Sequence, residues 1–216
     1  MSTSIKVDIW SDIACPWCFL GKRRFETAAA EFAASGGEVE IEFHSFELSP
    51  DTPADFEGDS VDFLVTRKGM AREQVEQMQA QMTELGTGEG LAYDFEALRQ
   101  SNTGKAHELL HFAKGKGRQL DMTERLFQAH FEQGRHVGRI DVLADLAAEI
   151  GLDRDEALAA LTSGVHLPEV AADKAQAAAY GINGVPFFVI DGRFGVSGAQ
   201  TPAALLEVLQ KAAAER

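Results

Sequence analysis

The stretch Ala14-Cys15-Pro16-Trp17-Cys18-Phe19 contains both cysteines of this 216-residue chain. Just before it, apolar residues alternate with charged ones over 5–9, which predicts a short strand followed by a turn over 11–14. Pro16 suits the first turn of a helix, because its missing N–H is one that this turn leaves unpaired. We therefore interpret the remainder of the chain as the scaffold that holds the two sulfurs.

The two cysteines are predicted to have different surroundings. Apolar residues recur at helical spacing from Phe25 to Phe32, and Cys18 lies seven residues before Phe25 on the same stripe, so it should face the core. Cys15 falls at the entrance of the helix, where unpaired N–H groups and the positive end of the helix dipole favour a thiolate. Cys15 is therefore the candidate nucleophile, and Cys18 is the candidate resolving thiol.

A second strand is predicted after this helix. Gly36 and Gly37 end the helix, and apolar residues alternate with glutamates over 39–43. We expect the strand to continue to Leu48, shortly before Pro50. A C-x-x-C pair at the helix entrance of a strand–helix–strand unit is the context in which this motif indicates redox chemistry.

The middle of the chain is predicted to be helical throughout. No strand-like alternation interrupts residues 50–181. Apolar residues at helical spacing predict helices over 60–69 and 71–85, a glycine-rich turn over 86–90, and further helices up to Gly181.

The pattern changes again near the C-terminus. An apolar run over 187–190, the turn Asp191-Gly192 and a return strand over 193–196 predict a hairpin, and an amphipathic helix follows Thr201-Pro202. This unit completes the sheet that the N-terminal residues begin.

Both ends of the chain therefore belong to one mixed sheet in an α/β fold. We expect one domain to comprise residues 1–50 and 182–216, with residues 51–181 as an inserted helical subdomain. A chain of 216 residues is long enough for one good core and such an insertion.

Composition and charge narrow the class of protein. Apolar residues make up 45% and charged residues 25% of the chain, which is typical of a soluble globular protein. The formal net charge of −14 repels nucleic acid and anionic membranes, so neither is expected as a partner. The first residues lack the basic and apolar regions of a leader, which predicts a cytoplasmic protein, although a secreted chain with its leader removed would look the same.

The chain resembles thioredoxin-fold thiol:disulfide oxidoreductases of the DsbA type and, within them, the cytosolic FrnE-like branch. The matching stretches follow the expected order over almost the entire chain. They are Ser11–Glu26, Phe46–Pro50, Asn102-Thr103 with His107, Gly184–Gly192 and Val196–Gln200. The resemblance implies a thioredoxin-like mixed sheet with a large helical insertion.

The resemblance also implies roles for individual residues. It implies that Cys15 attacks, that Cys18 resolves, and that the Val185–Pro186 bond is cis and lies against the cysteine pair. It further implies that Val185, and Asn102 with His107, contact substrate, although a packed or surface histidine is the default interpretation of His107 beside its apolar stripe. Trp17 is expected to be exposed beside the cysteine pair, where it could pack against substrate or merely shield the disulfide.

The implied substrates are proteins or small molecules that contain a thiol or a disulfide. No bound cofactor and no metal are expected, glutathione is the candidate co-substrate, and the oligomeric state is left open between a monomer and a homodimer. Kappa-class glutathione transferases and 2-hydroxychromene-2-carboxylate isomerases are similar but carry serine where this chain has Cys15. Glutathione-dependent conversion of an aromatic or polyketide-like small molecule is therefore an alternative function, and non-catalytic binding of partly folded proteins is another.

Several polar residues have competing interpretations. His107 and His111, four residues apart, could complete a zinc site with the two cysteines, but a zinc loop needs neither the proline between the cysteines nor the distant Gly-Val-Pro stretch. His130 is expected to be a core histidine with satisfied hydrogen bonds. Glu47 is expected to be a solvated acid rather than an acceptor of the Cys18 proton.

Overall fold

Four strands form one mixed sheet in the computed structural model, which describes residues 4–216. The strands are β1 (Ile5–Ser11), β2 (Val39–Ser45), β3 (Phe187–Ile190) and β4 (Phe194–Ser197). Their order is β2-β1-β3-β4, with β1 parallel to β2 and the other two pairs antiparallel. The predicted mixed sheet from both ends of the chain is confirmed.

Helices surround this sheet and fill the middle of the chain. The first helix is α1 (Pro16–Ala34), and the last is α9 (Pro202–Ala214). Between β2 and β3 lie α2 (Ser60–Lys68), α3 (Arg72–Gly88), α4 (Gly104–Gly115), α5 (Gln119–Phe131), α6 (Ile140–Glu149), α7 (Arg154–Ser163) and α8 (Leu167–Ala179). Within residues 4–216, no helix has both the length and the apolar character needed to cross a membrane.

One face of the sheet packs against α1 and α9. The alternation along β1 buries Ile5, Val7 and Ile9 on this face. Phe25 of α1 stacks on Phe188 of β3, with 5.5 Å between the ring centroids. Each such buried side chain contributes roughly 1.5–3 kcal/mol, so this core holds α1 and α9 against the sheet.

The opposite face of the sheet is only partly covered. Trp10 of β1 is buried there under α8, and its indole N–H donates to the carbonyl oxygen of Asp173 at 3.1 Å. Lys6 and Asp8 share the Trp10 side of β1, and the Lys6 side chain is 48% exposed. We call the region around Lys6 and Asp8 the half-open face.

The helical block and α1 share a second core. Phe19 of α1 stacks on Phe127 of α5 at 5.1 Å, and Cys18 and Leu20 belong to the same apolar cluster. Helix α1 therefore packs against the sheet on one side and against the helical block on the other. The division of the chain into residues 1–50 with 182–216 and residues 51–181 stays a prediction.

The end of β2 differs from the prediction. The strand ends at Ser45 and does not continue to Leu48. Ser45 is paired with Ser11, the last residue of β1, so no neighbouring strand remains to extend the ladder. The Leu48 N–H instead donates to the carboxylate of Asp12 at 2.8 Å.

The predicted glycine-rich turn after α3 begins later than expected, because the helix runs on through Gly88. Gly86 lies against the ring of Tyr93, and a Cβ there would lie 2.4 Å from that ring. Close packing rather than a turn therefore explains this glycine.

Strand β4 begins one residue later than predicted. The Arg193 N–H donates to the Ile190 carbonyl at 3.1 Å and so belongs to the hairpin turn.

Candidate active site

The turn between β1 and α1 places Cys15 at the N-cap of the helix. The Cys15 N–H donates to the Asp12 carbonyl at 3.1 Å, and the backbone of Cys15 is extended, with φ −98° and ψ 111°. Pro16 is the first helical residue, and the Cys18 N–H donates to the Cys15 carbonyl at 3.0 Å. The predicted position of Cys15 at the helix entrance is confirmed.

Cys18 lies deeper than Cys15. Both cysteines are free thiols, and Cys18 is only 1% exposed. Burial raises the pKa of the Cys18 thiol well above its ordinary value, and the neighbouring Cys15 sulfur raises it further. Cys18 is therefore protonated at neutral pH, as suits a thiol that acts second.

The loop before β3 brings Pro186 to the cysteine pair. The Val185–Pro186 bond is cis, and the Cys15 Sγ lies 3.7 Å from the Val185 carbonyl oxygen. Gly21 of α1 makes this approach possible, because a Cβ at that position would lie 2.8 Å from the Pro186 ring. The cis bond that the resemblance implies is therefore present, and it lies beside Cys15.

A buried carboxylate lies beneath the turn. Asp12 is 1% exposed and accepts hydrogen bonds from the Thr103 hydroxyl and the Leu48 N–H, both at 2.8 Å. Its Oδ1 also lies 3.4 Å from His107 Nε2. Burial opposes the ionised form, but these three partners together hold the pKa of Asp12 below its ordinary value. Asp12 therefore ties the turn to α4 and to the end of β2.

Tyr93 ties the same turn to the helical block. Its hydroxyl donates to the Pro16 carbonyl at 2.7 Å, and its ring meets Phe19 edge to face at 5.9 Å. Burial, together with the two nearby cysteine sulfurs, raises the pKa of Tyr93, so its hydroxyl remains a donor. Sequence reasoning missed both Tyr93 and Asp12. Asp12 lies within Ser11–Glu26, one of the stretches that carry the resemblance, so it could have been found there. No sequence pattern near Tyr93 indicates its contact with the turn.

An apolar cavity of about 210 Å³ opens beside Cys15. Residues of α2 and α3 line it, and Asp12 and Thr103 are among its polar lining residues. Its apolar lining residues include Phe63, Leu64, Met78, Met82, Phe95, Leu98 and Phe131. A compact apolar group could therefore lie next to the sulfur.

The structure brings only some of the predicted substrate residues to this cavity. Trp17 lines it and is 39% exposed, and the Val185 carbonyl lies beside Cys15. Asn102 instead donates to the Pro50 carbonyl at 2.9 Å and lines a different pocket. His107 is fully buried and does not line the cavity. The implied position of Asn102 and His107 at the Cys15 cleft is therefore corrected, and His107 is a packed histidine, in agreement with its default interpretation.

The interpretation of Glu47 is also corrected. Glu47 is not solvated, because its largely buried carboxylate pairs with Lys174 of α8. His111 faces Ser45 and Asp173, with Nε2 3.1 Å from the Ser45 hydroxyl, and not the cysteines. Within residues 4–216, the two cysteines do not belong to a group of side chains that could hold a metal.

His130 is buried in the helical block without a hydrogen-bond partner among the described residues. The expectation of a satisfied core histidine is therefore wrong. Burial lowers its pKa to about 4, while the negative charge of Asp12 and the positive charge of His136 act in opposite directions. The ring is consequently neutral at physiological pH.

Comparison with known proteins adds to this geometry. The family model described as "DSBA-like thioredoxin domain" matches residues 6–210. A curated relative from Bacillus subtilis, the uncharacterized protein YwbO, is 31% identical over 153 residues, which cover 69% of this chain and 68% of that protein.

Solved structures are also similar. A probable DsbA oxidoreductase from Streptomyces coelicolor is 39% identical, with a TM-score of 0.92 over 98% of this chain and 91% of that one. The cytosolic disulfide reductase DsbM from Pseudomonas aeruginosa, solved with GSH, is 20% identical and has a TM-score of 0.64 over 95% of this chain and 98% of that one. At 20% identity, the similarity to DsbM shows a shared fold and nothing more.

Proposed function

The chain belongs to the DSBA-like thioredoxin domain family, and on that premise we propose that it exchanges disulfides through Cys15 and Cys18. The observation that carries the proposal is the depth of the two sulfurs. Cys15, which is 5% exposed, lies at the mouth of α1 beside Val185 and lines the cavity, whereas Cys18, which is 1% exposed, lies behind it and does not line the cavity.

The proposed reaction has two steps. The Cys15 thiolate attacks one sulfur of a substrate disulfide, a mixed disulfide forms, and the other substrate sulfur leaves as a thiolate that takes up a proton. Cys18 then loses its proton and attacks the Cys15 sulfur, which releases the second substrate thiol and leaves a Cys15–Cys18 disulfide. In reverse, that disulfide oxidises a substrate dithiol.

The backbone beside Pro186 supports binding of an extended substrate. Proline at the start of a strand needs no ladder partner, and the Val185 backbone lies next to the reacting sulfur. We propose that Val185 and Trp17 contact the substrate chain on either side of Cys15.

The test is reduction of insulin and refolding of scrambled ribonuclease by variants of the two cysteines. We expect Cys15→Ser to abolish both activities. Cys18→Ser should retain the first attack but accumulate mixed disulfides with substrate, which mass spectrometry detects. Wild-type activity in Cys15→Ser would show that the nucleophile is wrongly assigned.

The cavity favours a second candidate function. A space of about 210 Å³ with an apolar wall suits a compact small molecule next to Cys15, with glutathione as co-substrate. This function predicts saturable glutathione binding and activity that survives Cys18→Ser. Loss of all turnover in that variant would instead favour dithiol exchange.

The resemblance supports finer assignments within the family. We place the chain in the FrnE-like branch, with isomerase activity in addition to oxidoreductase activity and a cytoplasmic location. Refolding of scrambled ribonuclease tests the isomerase activity, because that reaction requires rearrangement of existing disulfides. Fractionation of cells that express the chain tests the location.

A further inference from the structure

Three side chains with metal-binding atoms meet on the half-open face of the sheet. Asp8 comes from β1, and Glu42 and His44 come from β2. Within residues 4–216, they are the group of His, Cys, Asp or Glu side chains that could hold one metal ion, with ligand atoms within 4.8 Å of one another. Asp8 and Glu42 are paired directly across the two strands. Because like charges in that position repel, a cation between them stabilises the sheet, and in this structure that cation is the Lys6 ammonium.

The spacing of the ligand atoms suits a small divalent ion. His44 Nε2 forms a 2.8 Å hydrogen bond with Asp8 Oδ1 and lies 3.7 Å from Glu42 Oε1. Tetrahedral zinc with bonds of about 2.0 Å separates its ligand atoms by about 3.3 Å, so a bound ion would take the place of the hydrogen-bonded proton while Asp8 and Glu42 each shift by roughly 0.5 Å. One imidazole nitrogen and two carboxylate oxygens leave a fourth position for water.

The ring of His44 is already held in the orientation that a ligand needs. Its Nδ1 lies 2.8 Å from an oxygen of Asp173, and the Ser45 N–H donates to the other oxygen of Asp173 at 2.7 Å. The ring also stacks on Trp10 at 4.5 Å. In metal sites, a carboxylate on one nitrogen of a histidine fixes the tautomer and directs the other nitrogen at the ion.

Two lysines lie against the same carboxylates. Lys6 Nζ lies 2.9 Å from Asp8 and 3.2 Å from Glu42, and Lys114 also pairs with Glu42. Both lysine side chains are nearly half exposed, at 48% and 45%. Ion pairs of such exposed, flexible side chains contribute little, so a bound divalent ion can displace them.

We propose that Asp8, Glu42 and His44 bind one zinc-class divalent transition-metal ion, with Asp173 positioning His44. None of the three ligands lines the cavity beside Cys15, so the site is separate from the proposed thiol chemistry. The ion would join β1 to β2 and, through Asp173, to α8. Occupancy should therefore stabilise the folded chain. Sequence reasoning weighed zinc only at the cysteine pair and did not predict this cluster.

The test is calorimetric titration of Zn²⁺ into untagged full-length chain that carries Cys15→Ser and Cys18→Ser, so that no thiolate competes for metal. We expect one equivalent to bind and the melting temperature to rise with Zn²⁺ concentration. Co²⁺ should give the absorption of a site with nitrogen and oxygen ligands, whereas Mg²⁺, which prefers oxygen ligands alone, should not bind.

Matched variants on the same strand face distinguish the site from general negative charge. Glu42→Gln should weaken Zn²⁺ binding at least about tenfold, and Asp173→Asn should weaken it about 10–100-fold. Glu40→Gln removes one charge two residues along β2 and should leave the affinity unchanged. His44→Gln should abolish binding.

Two results would overturn the proposed metal site. Absence of saturable Zn²⁺ binding in the cysteine-free chain would overturn the proposal. Equal weakening by Glu42→Gln and Glu40→Gln would do the same, because it would show only diffuse attraction. If His44→Gln fails to fold, the comparison of Glu42→Gln with Glu40→Gln still decides.

Discussion

Cys15 and Cys18 belong to one helical turn, but only Cys15 lines the cavity. Burial keeps the Cys18 thiol protonated, so in the proposed reaction an incoming disulfide meets one nucleophile and not two. The proposed order of attack rests on the depth of each sulfur. Burial also explains the charge state of His130. Its ring has lost contact with water and has no hydrogen-bond partner among the described residues, so the neutral form is favoured.

His130 should make the chain less stable in mild acid. Its pKa is about 4 in the folded chain and 6.5 in the unfolded chain. As pH falls below 6.5, the unfolded chain binds a proton that the folded chain does not, so stability decreases until about pH 4. The expected loss is about 3 kcal/mol, measured by urea unfolding over this range.

His130→Leu should remove this part of the loss, so that between pH 6.5 and 4 the variant loses about 3 kcal/mol less stability than the wild-type chain. An unchanged acid profile in His130→Leu would contradict the burial argument.

At the scale of elements, α1 determines the site because three parts of the chain contact its first turns. The sheet holds it through Phe25, the helical block through Phe19, and the loop before β3 through Gly21. The position of Cys15 therefore depends on all three contacts at once.

Gly21→Ala should slow disulfide exchange. The added Cβ would lie 2.8 Å from the Pro186 ring, so the loop that carries Pro186 must move away from Cys15. Overpacking of this kind costs roughly 1–3 kcal/mol. Gly115→Ala, in a helical position with open space around it, is the control for insulin reduction and for urea unfolding. Wild-type exchange in Gly21→Ala would show that close contact with Pro186 is not required.

Tyr93→Phe should loosen the turn from the helical block. The change removes the part-buried hydrogen bond to the Pro16 carbonyl and should cost roughly 0.5–1.5 kcal/mol in urea unfolding, which is the usual net contribution of one such bond. The other tyrosine, Tyr180, is 55% exposed, and Tyr180→Phe should change stability by less than about 0.5 kcal/mol. Equal effects of the two changes would contradict this role for Tyr93.

Across the whole molecule, local patterns predicted the elements well but not the contacts between them. Alternation over β1 and β2, the proline at the start of α1 and the turn Asp191-Gly192 are visible within a few residues. These patterns were sufficient to predict a mixed sheet from both chain ends. The predicted continuation of β2 to Leu48 failed because the length of β1, and not the sequence of β2, ends the ladder.

Contacts between distant residues explain the remaining errors. Tyr93 and Pro16 are 77 residues apart, and Asp12 and Thr103 are 91 apart, so no periodicity marks either pair. The cleft position that the resemblance implies for His107 fails because α4 directs this side chain to the buried side of Asp12. The sequence and the resemblance therefore predicted that the two sulfurs and Pro186 lie together, but not which side chains hold the turn.

The most direct test of the central claim is equilibration of the chain with glutathione buffers of increasing oxidising strength, followed by thiol labelling and mass spectrometry. We expect Cys15 and Cys18 to lose their labels together in one two-electron transition, which is absent from Cys15→Ser and from Cys18→Ser. Two thiols that remain labelled at every ratio, or that disappear independently, would contradict the account.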